Sequence, residues 1–249
     1  MNETIETILN HRSIRKFTDQ KLSDEQIRII IQAAQQASTS SYVMAYTIIG
    51  VTDPEIKKQL AEVSGQFYVE KNGQLFVFCA DLSRIQAIQA QDEEKQVMEE
   101  NLESTEQFIV ATVDAALAAQ NAAIAAESLG LGICYLGSLR NDIERVSDIL
   151  QLPDYVYPLF GMAMGYPNHE PEKKPRFPME VIYHENTYKK HPEQDKYVQD
   201  FDATLKEYYS NRSFNVRSDT WTKQMIRKYK VPQRLDVGPF IKGKQMNRK

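Results

Sequence analysis

Glycine is scarce in this chain, at 10 of 249 residues, about half the usual ~7% share. That leaves little for Gly-rich phosphate loops, so any nucleotide the chain binds has to be gripped largely by side chains. Cysteine is scarcer still. Cys79 and Cys134 are too few for the disulfide framework of a small secreted domain; one bridge stays open, and a reducing, cytoplasmic setting suits them better. An excess of either charge is also missing, since 30 Lys and Arg against 34 Asp and Glu leave a net −4. No bulk basic field is available for nucleic acid. The N-terminus, MNETIETILNHRSIRKF, has no apolar core of the kind a signal peptide needs. The most apolar stretch, residues 108–126, contains Asp114, Gln120 and Asn121 and does not read as a membrane span. What remains is an ordinary globular composition, 42% hydrophobic and 26% charged, enough for one large domain or two small ones.

The apolar periodicity predicts strands alternating with helices. A short first helix carries Ile5, Ile8 and Leu9 on one side. A second starts at Ser23 with Gln26 completing a capping box, and buries Ile27, Ile30, Ile31 and Ala34. A hydroxyl-rich loop, Ser38-Thr39-Ser40-Ser41-Tyr42, follows. Residues 47–51 read as a strand ending at Asp53-Pro54, an N-cap and first-turn pair for the next helix. Residues 75–79 are continuously apolar, as in a strand buried on both faces. The polar stretch 86–103 reads as exposed helix. Ser104 and Gln107 cap a long helix lined by Ala111, Ala115, Ala118, Ala119, Ala122 and Ala126 and ended by Gly130. Residues 133–136 form a third strand, Asn141 and Glu144 open another capped helix, and residues 157–164 form a fourth strand turned by Gly165-Tyr166-Pro167. This pattern gives a layered, mixed α/β domain. From residue 184 to 229 the chain turns rich in Tyr, Asn, Lys and Asp, too aromatic for disorder. It reads as an extension packed on the body or on a partner chain. KGKQMNRK reads as a frayed tail.

Chemistry concentrates in few places. His11-Arg12-Ser13-x-Arg15 places two guanidiniums, an imidazole and a hydroxyl just past a helix end, a set suited to phosphate; a solvated basic turn fits the same spacing equally well. Lys174-Pro175-Arg176 holds two more cations on a stiff link, or is a surface loop. Gly130-Leu131-Gly132 lies between a helix and a strand, the reverse of a dinucleotide-binding turn, so a Rossmann site is rejected. His11, His169, His184 and His191 lack metal-ligand spacing, and no nucleophile or P-loop motif is present. With so little protein-borne chemistry, a cofactor is expected to carry the reaction.

HRSIRKF, ASTSSY, GQFYV, FVFCAD, AAQNAAIAAESLGLGICYLGSLRN, PLFGMAMGYP, KKPRFP and YHENTY, in this order, resemble the NfsA/Frp type of the nitroreductase superfamily, and within it the NfrA-like NADPH-dependent FMN oxidoreductases of Gram-positive bacteria. The resemblance covers residues 2 to about 230. It implies an α+β nitroreductase fold, with a mostly antiparallel sheet flanked by helices, in an intertwined homodimer with FMN at the interface. Residues 1–249 then form a single domain, with 184–249 as its C-terminal extension. By the same resemblance His11, Arg12, Ser13 and Arg15 match the FMN motif, with Arg15 at the flavin N1/O2 edge. Lys174 and Arg176 complete the phosphate side. Gln66 meets the pyrimidine part of the ring, and Leu136, Gly137 and Ser138 lie beside the isoalloxazine. Ser38, Thr39, Ser40, Ser41 and Tyr42 come from the other subunit. Glu106 lies near the site on the long helix. Arg212 and Arg217 match a loop that selects the 2'-phosphate of NADPH. Three departures touch the fine contacts: Ser138 where many relatives have glycine, Met44 where many have glutamine, and one residue fewer before Gln66.

The resemblance implies ping-pong transfer of a hydride from NADPH to FMN N5, and on to nitro compounds, quinones, flavins or similar small acceptors. NADH is the weaker donor. Two rival readings differ in class. One is a flavin reductase that supplies reduced FMN to a partner monooxygenase; the other is a flavin-binding sensor without turnover. Reduction of disulfides or iron(III) complexes is a further acceptor choice.

Overall fold

The computed structural model describes residues 1–189 and 193–249. They divide into two compact units, one of residues 1–169 with 234–249 and one of residues 170–233.

Local chemistry sets the elements of the first unit. Helix α1 (Glu3–Leu9) starts where the Asn2 side chain accepts the Ile5 N–H. Helix α2 (Asp24–Gln35) opens on the expected capping box: Ser23 accepts the Gln26 N–H and the Gln26 side chain accepts the Ser23 N–H. Strand β1 (Tyr46–Val51) leads to α3 (Pro54–Ser64). There Asp53 accepts two first-turn N–H groups, and Gly65 ends the helix at φ +66°, a left-handed position that suits glycine. Strand β2 (Gln74–Asp81) is buried along its whole length, so its run of apolar residues meets protein on both faces. After a short α4 (Ser83–Gln86), the polar stretch is helical over α5 (Asp92–Leu102), with Leu102 buried. Helix α6 (Thr105–Ser128) starts at Ser104 and is followed by Gly130 at φ +76°. Strand β3 (Gly132–Leu136) comes next, then α7 (Ile143–Ile149) and β4 (Val156–Gly165). The cap of α7 is Asp142, which accepts the Arg145 N–H, and not Asn141; the Asn141 carbonyl oxygen is taken by Arg234 instead.

The four strands run β1-β2-β4-β3 and every neighbouring pair is antiparallel. Alternation along β2 divides the core. Leu75, Val77 and Cys79 pack with residues of α3 and α7 on one face. Phe76 and Phe78 pack with Ala118, Ala119, Ala122 and Ala123 of α6 and with Ile30 and Ala34 of α2 on the other. The sheet is therefore a middle layer between two helical layers. By length and composition α6 is apolar enough to cross a membrane; here its alanine face packs against sheet and α2, where small side chains allow close approach. Its Ile109, Val113 and Leu117, spaced four apart, remain 50%, 48% and 44% exposed. Ile5, Ile8 and Leu9 of α1 are exposed as well.

The second unit contains α8 (Met179–Ile182), α9 (Gln194–Asn211) and α10 (Trp221–Tyr229). It has a small core of its own, with Phe201, Leu205 and Tyr209 of α9 packed by Phe177, Tyr208 and Trp221. The chain then returns to the first unit through α11 (Val237–Gly243). The tail is not frayed. Met246 is fully buried beside Leu102 and Tyr157. Arg248 donates its N–H to the Glu103 carbonyl and its guanidinium to the Glu103 carboxylate, and the Lys249 carbonyl accepts from Thr105. One apolar side chain, the fourth residue from the end, anchors an otherwise polar segment.

Candidate functional site

The segment carrying His11, Arg12, Ser13 and Arg15 is stitched to the sheet. Ser13 forms a parallel bridge with Ile133, and the Ile14 N–H reaches the Ile133 carbonyl at 2.9 Å. Farther on, Phe17 bridges Pro167, and the Thr18 and Asn168 N–H groups bond to Tyr166 and Lys16. Gly132 makes this approach possible, because a Cβ there would lie 2.4 Å from Ile14 Cγ1. Ile14 is buried, so the residues on either side of it are turned outward from a fixed backbone.

His11 Nδ1 meets Glu127 Oε1 at 2.6 Å, a pair joining the N-terminal segment to the end of α6. The Arg12 guanidinium bonds to the Asn10 carbonyl and side-chain oxygens at 3.3 and 3.0 Å. Arg15 lies against the Tyr68 hydroxyl and the Cys134 thiol. Burial pushes the Tyr68 hydroxyl up, with the Cys134 thiol adding to the rise and Arg15 opposing it. Burial also raises the Cys134 thiol, against the pull of Arg15 and Tyr68.

From Tyr68 a polar chain continues along the ends of α3 and β3. The Tyr68 hydroxyl donates to Gln66 Oε1 at 2.5 Å, and the Ser138 hydroxyl donates to the same oxygen at 3.3 Å. Ser138 and Ser64 hydroxyls lie 2.6 Å apart. Leu136 is buried at the strand end, and Gly137 begins a 3-10 turn over Arg140, where a Cβ would crowd the guanidinium at 3.3 Å. Thus Gln66, Tyr68, Ser64 and Ser138 belong to one hydrogen-bonded network at the carboxyl end of β3, with Arg15 beside it. Nothing in the sequence spacing of Tyr68, Ser64 and Cys134 marks them as members.

The hydroxyl-rich loop is built with strain. Ser41, Tyr42 and Met44 sit at φ 47°, 60° and 52°, left-handed positions for non-glycine residues that cost of order 1–2 kcal/mol each. Asp114, fully buried in α6, holds the loop at both ends. One carboxylate oxygen accepts the Ser40 N–H and the other the Ala45 N–H, each at 3.0 Å. Arg84 donates to the Met44 and Tyr46 carbonyls at 2.8 and 2.6 Å. Ser38, Ser40 and Ser41 are exposed, Thr39 is half-buried and Tyr42 is 81% exposed. The one sequence signal for Asp114 is a carboxylate within the apolar helix. Glu106 is exposed in the first turn of α6.

In the second unit, the Arg176 guanidinium donates to the Lys174 carbonyl at 2.7 Å, and Lys174 Nζ lies 5.9 Å from the centre of the Tyr209 ring. Arg212 and Arg217 lie over the same ring. Among the described residues no group of three or more His, Cys, Asp or Glu could hold a metal; His191 lies outside the described residues. Both cysteines are free and buried.

Residues 8–166 match the family described as "Nitroreductase family", and residues 174–249 match "Nitroreductase family, C-terminal domain". The chain is 51% identical over 250 residues to the "FMN reductase (NADPH)" of Bacillus subtilis, covering 100% of both. Among solved structures, NfrA1 nitroreductase from B. subtilis superposes with a TM-score of 0.92 at 50% identity, over 99% of this chain and 100% of that one. The NADPH:FMN oxidoreductase of Vibrio harveyi, solved with NAD+, superposes at 0.87 with 38% identity over 100% of both chains.

Proposed function

The chain belongs to the nitroreductase family, and from that premise we propose that it is an FMN-containing, NADPH-dependent oxidoreductase that reduces small acceptors such as nitro compounds, quinones or flavins. The observation that carries the reading is the sheet-anchored set at β3. Its donors suit FMN chemically: guanidiniums, an imidazole and a hydroxyl for a phosphate dianion, and an amide and hydroxyl network for a polar heterocycle edge. When bound, FMN supplies the capacity to accept a hydride from NADPH and to release the electron pair to a second substrate.

The chain's own work is binding and electrostatics. Arg12 and Ser13 hold the phosphate, and His11, fixed by Glu127, completes the motif. Arg15 places a fixed cation where the reduced ring gathers negative charge. Gln66 and Ser138, locked by Tyr68 and Ser64, orient the ring's polar edge, and Leu136 and Gly137 offer an apolar wall with little bulk. For Lys174 and Arg176 the assignment to the phosphate rests on the resemblance alone. Arg212 and Arg217 read the 2'-phosphate of NADPH.

The protein works as a homodimer. In support, Ile109, Val113 and Leu117 form an exposed apolar stripe on α6, and α1 exposes Ile5, Ile8 and Leu9, faces that a second copy would cover. In that dimer the 38–42 loop serves the partner's flavin, and Glu106 lies close to it. The cytoplasm, with its reducing pool, is the compartment that keeps Cys79 and Cys134 as thiols. One second reading, free FMN as the acceptor and reduced FMN as the product, is favoured by the name of the Bacillus relative.

The test is anaerobic. The purified protein is expected to carry FMN, and NADPH is expected to bleach it. A protein with no affinity for FMN, or a bound flavin that NADPH leaves oxidised, overturns the reading. Turnover with nitrofurazone, a quinone and free FMN then ranks the acceptors.

A further inference from the structure

The C-terminal unit gathers four cations round one buried phenol. Tyr209, near the end of α9, is 3% exposed and packs in the small core with Phe201 and Leu205. Its hydroxyl donates to Gln224 Oε1 at 3.2 Å. Against its ring lie Arg212, with Cζ 4.6 Å from the centre, and Arg217, at 4.2 Å. Its carbonyl accepts the Arg217 N–H at 3.0 Å and so closes the loop of residues 210–216. Within that loop the Arg212 side chain donates to the Asn215 carbonyl, and Asn215 turns the chain at φ 56°.

Charge in the cluster is unbalanced. Asp219 is shared between Arg217 at 3.3 Å and Arg227 at 2.7 Å. The Glu172 carboxylate accepts from the Ser213 N–H and hydroxyl at 2.7 and 2.6 Å. Lys174, Arg212, Arg217 and Arg227 thus face two carboxylates, which leaves two positive charges, the complement of a phosphate monoester dianion. Burial works to raise the Tyr209 hydroxyl, but Lys174 beside it, with Arg217 and Gln224, outweighs burial and holds it below the ordinary tyrosine value. The negative face of the aromatic ring attracts each guanidinium, and each keeps part of its five-donor fork for an anion beyond its bond to Asn215 or Asp219.

We propose that Tyr209 is the positioning residue behind the preference for NADPH over NADH: its ring and carbonyl preassemble Arg212 and Arg217 into a clamp for the 2'-phosphate of the adenosine ribose. The proposal rests on the reading of those two arginines as 2'-phosphate readers. Preassembly matters because ordering two long side chains at the moment of binding weakens affinity.

The test uses the FMN-loaded enzyme with Tyr209→Leu, Tyr209→Phe, and the double variant Arg212→Ala/Arg217→Ala. KM and kcat are measured with NADPH and with NADH, and binding of adenosine 2',5'-bisphosphate and of AMP by calorimetry. Tyr209→Leu is expected to raise KM for NADPH and to weaken the bisphosphate by about tenfold, with kcat, KM for NADH and AMP binding unchanged. Tyr209→Phe, which keeps the ring, is expected to restore all of these. In the double-arginine background Tyr209→Leu should add nothing. If leucine disrupts the small core, pentafluorophenylalanine at 209 keeps the shape and inverts the ring's polarity, and the same loss is expected. Arginine variants that weaken the bisphosphate beside ring variants that do not would overturn the role of Tyr209 and leave the reading of the arginines intact. Arginine variants that bind the bisphosphate like wild type overturn both.

Discussion

Arg12 and Arg15 sit on a backbone bonded to β3, with Ile14 locked over Gly132 between them, whereas Arg212 and Arg217 sit on a loop closed by one tyrosine. Arg12 is assigned to the FMN phosphate and Arg15 to the flavin edge, Arg212 and Arg217 to the 2'-phosphate of NADPH, and the protein holds the two pairs by opposite means. The first pair inherits the rigidity of the sheet, as a resident cofactor requires through every turnover. The second pair is preassembled by one aromatic ring at a loop, outside the sheet, a lighter hold that suits a dinucleotide that must leave before the acceptor enters. Rigidity is thus spent where the ligand stays.

The comparison breaks most visibly at Gly132. Gly132→Ala forces Ile14 off β3, and overpacking of this kind costs roughly 1–3 kcal/mol, a Tm fall of roughly 2–12 °C. Flavin content after gel filtration should fall with it. Gly238, with nothing near its missing Cβ, is the control, and alanine there should leave both unchanged. A Gly132→Ala protein of wild-type Tm that retains its flavin would remove the argument for a sheet-anchored site.

Asp114→Asn comes next. The amide keeps one acceptor and turns a donor toward the other backbone N–H, at a cost of ~1–3 kcal/mol. Hydrogen exchange should accelerate at Ser40 and Ala45 and not along β2. Uniform exchange would mean that the carboxylate does not hold the strained loop.

Arg15→Ala sharpens the comparison from the chemical side. It should slow flavin reduction by roughly tenfold, ~1.4 kcal/mol of barrier, while much of the FMN stays bound. Unchanged reduction kinetics in a flavin-loaded variant would sink the electrostatic role.

The smallest expected effect is none. Burial, with Asp81 adding to it, pushes Cys79 up to about 12, and burial raises Cys134 as well. In the folded protein neither thiol should react with a disulfide reagent at mildly alkaline pH, and both should react once unfolded.

Much of the local architecture was legible. Ser23 with Gln26, Asp53 with Pro54, Ser104 and Gly130 mark helix ends because caps act within four residues. The apolar run into Cys79 marks a central strand because both its faces are buried. What stayed hidden is long-range. The antiparallel order β1-β2-β4-β3 cannot be read from alternation alone. Nothing near Glu127 says that it meets His11, and nothing near Tyr68 says that it meets Arg15. The tail looked frayed because seven of its eight residues are polar or glycine, and the buried eighth, Met246, outweighs them. Asn141 and Asp142 are adjacent caps of equal merit, and a distant arginine took the first. Resemblance supplied Arg212 and Arg217, but the ring that assembles them is visible only in the folded unit.

The most direct test sets the two arginine pairs side by side. FMN-to-protein ratio after exhaustive gel filtration and affinity for adenosine 2',5'-bisphosphate are measured in Arg12→Ala and in Arg212→Ala/Arg217→Ala. The account predicts a crossed result: the first variant loses FMN and binds the bisphosphate normally, and the second keeps FMN and loses the bisphosphate. Loss of FMN from the second variant, or full retention by the first, would contradict it.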